Sequence, residues 1–146
     1  MERSYIDEND VSRARIQAFV ASLSDQDMMR PVGAHWTVCT GLMHLAFWDR
    51  QWLGKLEEWE RTGVVVVPTL HDVINGINDG MLPWWRSIAL AQVRHEVVAA
   101  AAAMDAKVAS LPQDLLEVIL AERPRTLVRA THRREHLDEI EHALAL

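Results

Sequence analysis

One cysteine, one tyrosine, two phenylalanines, five prolines and six glycines are all that the 146 residues carry of these types. The lone Cys39 cannot close an internal disulfide, which excludes a cystine-stapled scaffold and makes a reducing cytoplasm the simplest compartment. Cationic excess is missing too. Lys and Arg number 15 against 21 Asp and Glu, a net charge of -6, so nucleic acid is not an expected partner, because phosphate binding wants a basic surface. No apolar run approaches the ~20 residues of a membrane span, and the segment from Met1 to Glu8 lacks the apolar core of a signal peptide. The expectation is a soluble, unexported chain with no membrane partner.

What is present is a chain 49% hydrophobic, with six tryptophans and seven histidines, long enough to bury a core as one globular domain over residues 1–146. Its periodicity is helical. Asn9 or Asp10 can cap a first helix carrying Ile16, Phe19, Val20 and Leu23, which should end near Pro31 and Gly33. Thr37 caps a second, roughly 38 to 61, with Val38, Leu42, Leu45, Trp52, Leu56 and Trp59 at steps of three and four, and Gly63 stops it. Residues 62 to about 86 are the least regular: a β-branched run from Val64 to Val67, Pro68, a short helix that Thr69 and Asp72 could box-cap, then Gly76, Gly80 and Pro83. A connection of that length is expected to be a crossover or a lid.

A third helix, about 87 to 110, carries Val93, Val97, Ala100, Met104, Val108 and Leu111 on one stripe. After a short polar-apolar piece at 113 to 121, Pro124 and Thr126 make a start for a last helix over 125 to 145. Four long helices and no partnered strand define an all-α chain of the helix-bundle class.

The last helix organises the chemistry. His132 and His136 stand four apart, so both imidazoles leave one side of the helix close enough to grip one metal ion. On the helical wheel Arg134, Glu135, Asp138, Glu141 and His142 form the wet face, whereas His132 and His136 point inward with Ile140 and Ala143. A catalytic zinc site usually takes three protein ligands. His95 and His142 fall on solvated faces, and His35 and His71 in a loop and at a helix start. His44 stands apart at the edge of the apolar stripe beside Trp48. On spacing alone, a three-histidine metal site and polar core histidines that only hydrogen-bond both remain open.

The Trp36-Thr37-Val38 start, the segment His44-Leu45-Ala46-Phe47-Trp48-Asp49-Arg50, the long middle connection and the run from His132 to Leu144 together resemble the DinB-like four-helix-bundle superfamily. This superfamily includes thiol-dependent maleylpyruvate isomerases and bacillithiol-type S-transferases. The resemblance covers essentially the whole chain in element order. It implies a four-helix bundle in up-down-down-up order with a long crossover between the second and third long helices, and a divalent metal, zinc or nickel, held by His44, His132 and His136. Thr40 stands where an acidic residue often box-caps the second helix, and Cys39 and Gly41 replace better helix formers, which should weaken that helix start.

A dication held by three neutral imidazoles keeps most of its charge and acidifies a bound water or thiol. The resemblance therefore implies a transferase or isomerase in which a small thiol cosubstrate supplies the nucleophile. A non-catalytic bundle that binds metal or a small ligand, in stress response or sequestration, is the alternative. Cys39 lies roughly 140° round the helix from His44, so it is expected to be a packed side chain.

Trp48, Trp52 and Trp59 read as core, whereas for adjacent Trp84 and Trp85 ordinary packing and a lid or dimer-surface role are both open. Six tryptophans favour an apolar patch beyond the core and hence a homodimer. Asp49 falls within the apolar arc of its helix, and Arg129 and Arg133 on the inner side of the last. Charges seldom face a core unpaired. Antiparallel helices put Asp49 level with Arg129, parallel ones with Glu139; the first gives an ion pair bracing the floor of the metal site, and the alternative is a helix rotation that lets all three groups reach water. An unpaired Arg129 or Arg133 could instead hold a substrate carboxylate, with Trp48 as a further substrate contact.

Overall fold

The computed structural model describes residues 3–145, which form seven α-helices and one two-stranded β-ribbon. Helix α1 spans Ser4–Ser22, α2 Asp25–Met28, α3 Val38–Thr62, α4 Ile74–Ser87, α5 Leu90–Ser110, α6 Gln113–Glu122 and α7 Arg129–Ala145; β1 is Pro31–Val32 and β2 Trp36–Thr37. Among the described residues, no helix is long and apolar enough to cross a membrane.

Helix α3 is the longest, and both of its ends follow from the sequence. Thr37 caps it, but Thr40, read above as a lost box-cap, completes the box. The Thr40 hydroxyl accepts from the Thr37 N–H at 2.8 Å, and the Thr37 hydroxyl accepts from the Thr40 N–H at 3.3 Å. A hydroxyl two bonds from the backbone reaches the same orphan donor that a carboxylate would. At the other end Gly63 adopts φ 69°, the left-handed conformation a side chain disfavours, and its N–H closes the helix on the Trp59 carbonyl at 2.8 Å. Every residue of the α3 stripe is buried, and so are Val93, Val97, Ala100, Met104 and Val108 of α5. Helix α3 packs on α5 and α7, and α1 packs on the same two helices.

Several boundaries differ from expectation. Helix α1 starts at Ser4, well before Asn9, and Asn9 serves another helix. Its amide donates to the Leu127 carbonyl at 2.8 Å and accepts from the Ala130 N–H at 2.9 Å, so it caps the start of α7 from across the fold. Between α1 and α3 lie α2, closed by a Ser24–Asp27 capping box, and the ribbon, in which Pro31 pairs with Thr37 and Val32 with Trp36. The ribbon turns at Gly33, φ 66°, and delivers Trp36 to the head of α3.

Thr69 and Asp72 cap nothing; α4 begins after Val73 and runs through Gly76, Gly80 and Pro83. Helix α5 begins at Leu90, and the piece at 113 to 121 is itself helical, burying Leu115, Leu116 and Ile119. Pro124 opens a 3-10 turn, and α7 proper starts at Arg129.

The core falls into two apolar clusters. One gathers Leu42, Leu45, Trp85, Val97, Leu137 and Ile140; the other gathers Trp52, Leu56, Trp59, Met104, Leu116 and Leu127. Asp49, Asp105, Arg129 and Arg133 are buried as well.

Candidate metal centre

Helix α3 contributes His44 and α7 contributes His132 and His136, and the three rings meet. His44 Nε2 lies 3.0 Å from His132 Nε2 and 3.1 Å from His136 Nε2. His44 is buried and the other two are half-buried. The remaining histidines, His35, His71, His95 and His142, are all exposed. Trp36 and Trp85 wall the cluster: Trp36 stands 4.7 Å from the His44 ring centre and stacks on His136 at 6.1 Å with planes 14° apart, while Trp85 meets His44 edge-on at 5.8 Å.

A ring nitrogen carries either one proton or one lone pair. At most one of the two short contacts at His44 Nε2 can therefore be a well-formed hydrogen bond, whereas a cation at the centre would use all three lone pairs at once. Those of His44 and His132 are free at neutral pH. Burial, first, and then the neighbouring His136 bring His44 down to about 3. Burial and then the Arg129 guanidinium hold His132 far below the ordinary histidine value. The donor set, three imidazoles converging on one point, fits a metal ion. On the outer nitrogens, His136 Nδ1 meets Glu139 at 3.2 Å, the carboxylate support that metal-binding histidines commonly have. Among the described residues, the buried His44 Nδ1 has no hydrogen-bond partner.

One turn away on α7 the arginines are tied. Arg129 Nε donates to Asp49 at 2.8 Å, the pairing that antiparallel helices require. Arg133 is the most engaged side chain of the site. It donates from Nε and Nη2 to Asp49 and from Nη1 and Nη2 to Asp105, with contacts of 2.8 to 3.1 Å, and Nη1 also reaches Ser12 at 3.2 Å. Burial works against the Arg133 cation, but Asp49 and Asp105 outweigh it and raise its pKa further. Arg13 adds a 2.6 Å contact to Asp105.

A cavity of about 400 Å³ opens beside the histidines, lined in part by Trp36, Trp48, Asn78 and Arg129. Of the substrate-contact candidates, Trp48 and Arg129 border this cavity; Arg133 does not, being 0% exposed with all three guanidinium nitrogens bonded. Trp48 is fixed by a 2.9 Å bond from its indole N–H to Asn78. Cys39 is packed in the core, and burial pushes its thiol up.

Asp105, Trp36 and Asn78 are site or support residues that the sequence reading passed over. Asp105 had a signal: it lies four residues after Ala101 on the buried side of α5 and is an acid at an inward position. Trp36 had none beyond its place before a helix cap. Comparison with protein-family models, with curated proteins and with solved structures finds no match to this chain.

Proposed function

We propose that this chain is a DinB-like four-helix-bundle protein that binds one divalent metal, zinc or nickel, through His44, His132 and His136, and acts as a low-molecular-weight-thiol-dependent transferase or isomerase. The carrying observation is the convergence of three Nε2 atoms from two helices with contacts of 3.0 and 3.1 Å.

The order up-down-down-up is supported by the registers of the paired side chains. Arg50–Glu96 and Glu60–Lys107 rise together along α3 and α5, which suits parallel neighbours. His44 with His136 and Asp49 with Arg129 run oppositely along α3 and α7. Arg13–Asp105 and the Arg94 bond to the Val20 carbonyl run oppositely along α1 and α5.

When bound, the metal supplies Lewis acidity that makes a thiol more acidic. The chain's own residues do the rest. His44, His132 and His136 present their Nε2 atoms, Glu139 accepts a hydrogen bond from His136 Nδ1, and the Asp49–Arg129–Arg133 cluster holds α3 and α7 in register. Trp36 and Trp85 keep water from the buried side of the ring cluster.

A second reading, metal or ligand binding without turnover, is favoured by one observation: among the described residues, no carboxylate, thiol or lysine lines the cavity. Metal analysis of the purified protein, with thiol-conjugation assays using several small thiols, separates the two. Near one metal per chain, lost in His44→Ala, His132→Ala and His136→Ala with helical circular dichroism retained, is expected. Stoichiometric metal surviving all three substitutions overturns the site. Stoichiometric metal with no turnover on any thiol favours the second reading. A homodimer belongs to the same proposal, with Trp84, 53% exposed on α4, as the apolar contact; light scattering that gives a monomer mass across micromolar concentrations removes it.

A further inference from the structure

The cavity beside the histidines has an electrostatic bias opposite to that of the whole chain. Acidic residues outnumber basic ones 21 to 15, yet Arg123, Arg125 and Arg129 border the cavity and, among the described residues, no carboxylate does. The 3-10 turn Pro124–Thr126, with Arg123 just before it, presents two of these arginines on one short segment.

None of the three is fully spent. Arg123 makes no ion pair among the described residues, and its guanidinium lies over the Trp52 ring at 4.7 Å. Arg125 reaches Glu135 only at 3.4 Å, with both side chains exposed. Arg129 uses its Nε on Asp49, and its Nη2 has only a 3.4 Å contact to His132 Nδ1, long for a hydrogen bond. A fourth group is independent of these. Thr126 is 1% exposed, its hydroxyl has no hydrogen-bond partner among the described residues, and it lines the same cavity. Buried hydroxyls are nearly always bonded, so this one is open to a ligand oxygen or a water at the cavity wall.

Trp48, Trp52, Leu70 and Ile74 make another part of the cavity wall apolar. At about 400 Å³ it is within the size range of small-ligand sites. The planar guanidinium fork matches a carboxylate's two oxygens.

We propose that Arg123, Arg125, Arg129 and the Thr126 hydroxyl form a carboxylate subsite beside the histidine cluster, and that its ligand is a small carboxylate whose apolar or aromatic body lies against Trp48 and Trp52. This names the substrate class for the metal site proposed above and rests on that reading only for the chemistry that follows binding; the subsite itself needs no metal.

Because Trp36, Trp48 and Trp52 border the cavity, quenching of intrinsic fluorescence reads occupancy. Benzoate and cinnamate, titrated into chelator-stripped protein, are expected to bind about tenfold or more tighter than benzamide and cinnamamide, the worth of a charge-assisted pair. In the Arg123→Gln/Arg125→Gln double variant that preference should collapse. Thr126→Val should weaken carboxylates severalfold and amides less, because the hydroxyl's bond to a charged oxygen is the stronger; a merely structural role would weaken both alike.

Equal affinity for acid and amide overturns the subsite, as does a preference that survives the double variant. Binding that vanishes on stripping but is present in metal-loaded protein overturns it too, because the anion is then a ligand of the metal alone. Phenyl phosphate that displaces benzoate at lower concentration overturns the carboxylate assignment. A chain that holds no metal and still prefers carboxylates removes the metal reading and leaves the subsite standing.

Discussion

Helix α7 carries two sets of inward polar groups in alternation, and they are treated in opposite ways. At Arg133 all three nitrogens are bonded, to two carboxylates, a hydroxyl and backbone oxygens. At the histidine corner, one turn along, two rings crowd His44 Nε2, a single nitrogen that can serve only one of them. A fully matched buried ion cluster fixes helix register; a buried polar corner left unmatched beside an open cavity is short of a ligand. Side chains on one helix face thus divide into frame and site by their hydrogen-bond accounts alone.

The largest expected effect tests the frame. Asp49→Asn or Arg133→Met leaves buried partners uncompensated, so urea unfolding should show a loss of about 3 to 5 kcal/mol. His136→Ala in metal-free protein should change stability by no more than about 1 kcal/mol, the ordinary cost of a point substitution. If the histidine variant loses as much as the ion-cluster variants, the division fails.

Next in size is the ligand that the site lacks. If the triad binds a divalent metal, zinc or nickel at 100 times its Kd should stabilise the protein by about 2.7 kcal/mol. The same addition to His136→Ala should leave the melting temperature unmoved. A shift of equal size in wild type and variant would place the metal elsewhere.

Smaller still, per unit of pH, is the response of the metal-free corner to acid. The folded chain holds His44 at about 3, while an unfolded histidine titrates near 6.5. Between those values the unfolded state binds the extra proton, so stability is complete above pH 6.5 and falls as the pH drops toward 3. The slope from His44 is about 1.4 kcal/mol per pH unit, and His132, shifted the same way, steepens it. Unfolding midpoints from pH 7 to 5 in chelator should therefore decline for wild type and decline less for His44→Ala. A flat profile would mean that the rings are not held neutral by burial.

Much of this was legible in the chain. Thr37, the α3 stripe and Gly63 mark a helix whose ends are set by local chemistry, and the inward placement of His132, His136, Arg129 and Arg133 follows from a periodic wheel. What was missed depended on distant partners. Asn9 looks like the cap of its own helix because a short amide behaves that way locally; its carbonyl and N–H partners lie on residues 127 and 130, which only the fold brings near.

Helix α4 is a different failure. Ile74, Ile77, Asn78, Met81, Leu82 and Trp85 do form a helical stripe, but Gly76, Gly80 and Pro83 outweighed it as breakers. All three of those are exposed, and Leu82 and Trp85 are buried. A proline in the third turn removes one hydrogen bond at the wet face, and the anchored stripe outweighs that cost. The Trp84–Trp85 pair resolves on the same basis, with Trp85 0% and Trp84 53% exposed.

The smallest expected effect sharpens the comparison where α3 and α7 come closest to the histidines. Gly41 sits in the first turns of α3, three residues before His44, where glycine costs a helix about 0.8 to 1 kcal/mol relative to alanine. A methyl there would lie 3.4 Å from Ile140 Cδ1, 3.8 Å from Ile140 Cγ1 and 4.0 Å from the Trp36 ring. Those are ordinary contacts, the nearest with the mobile end of a side chain. No positive φ requires glycine either, since only Gly33 and Gly63 have one. Gly41→Ala should therefore stabilise the metal-free protein by roughly 0.5 to 1 kcal/mol and leave metal content unchanged. A loss of stability instead would mean that Ile140 cannot yield, and that the spacing of α3 and α7 at the histidines is fixed by packing at this glycine as well as by the ion cluster at Asp49. Unfolding of Gly41→Ala alone, Ile140→Val alone and the two together distinguishes these cases, because a coupled pair departs from additivity and an independent one does not.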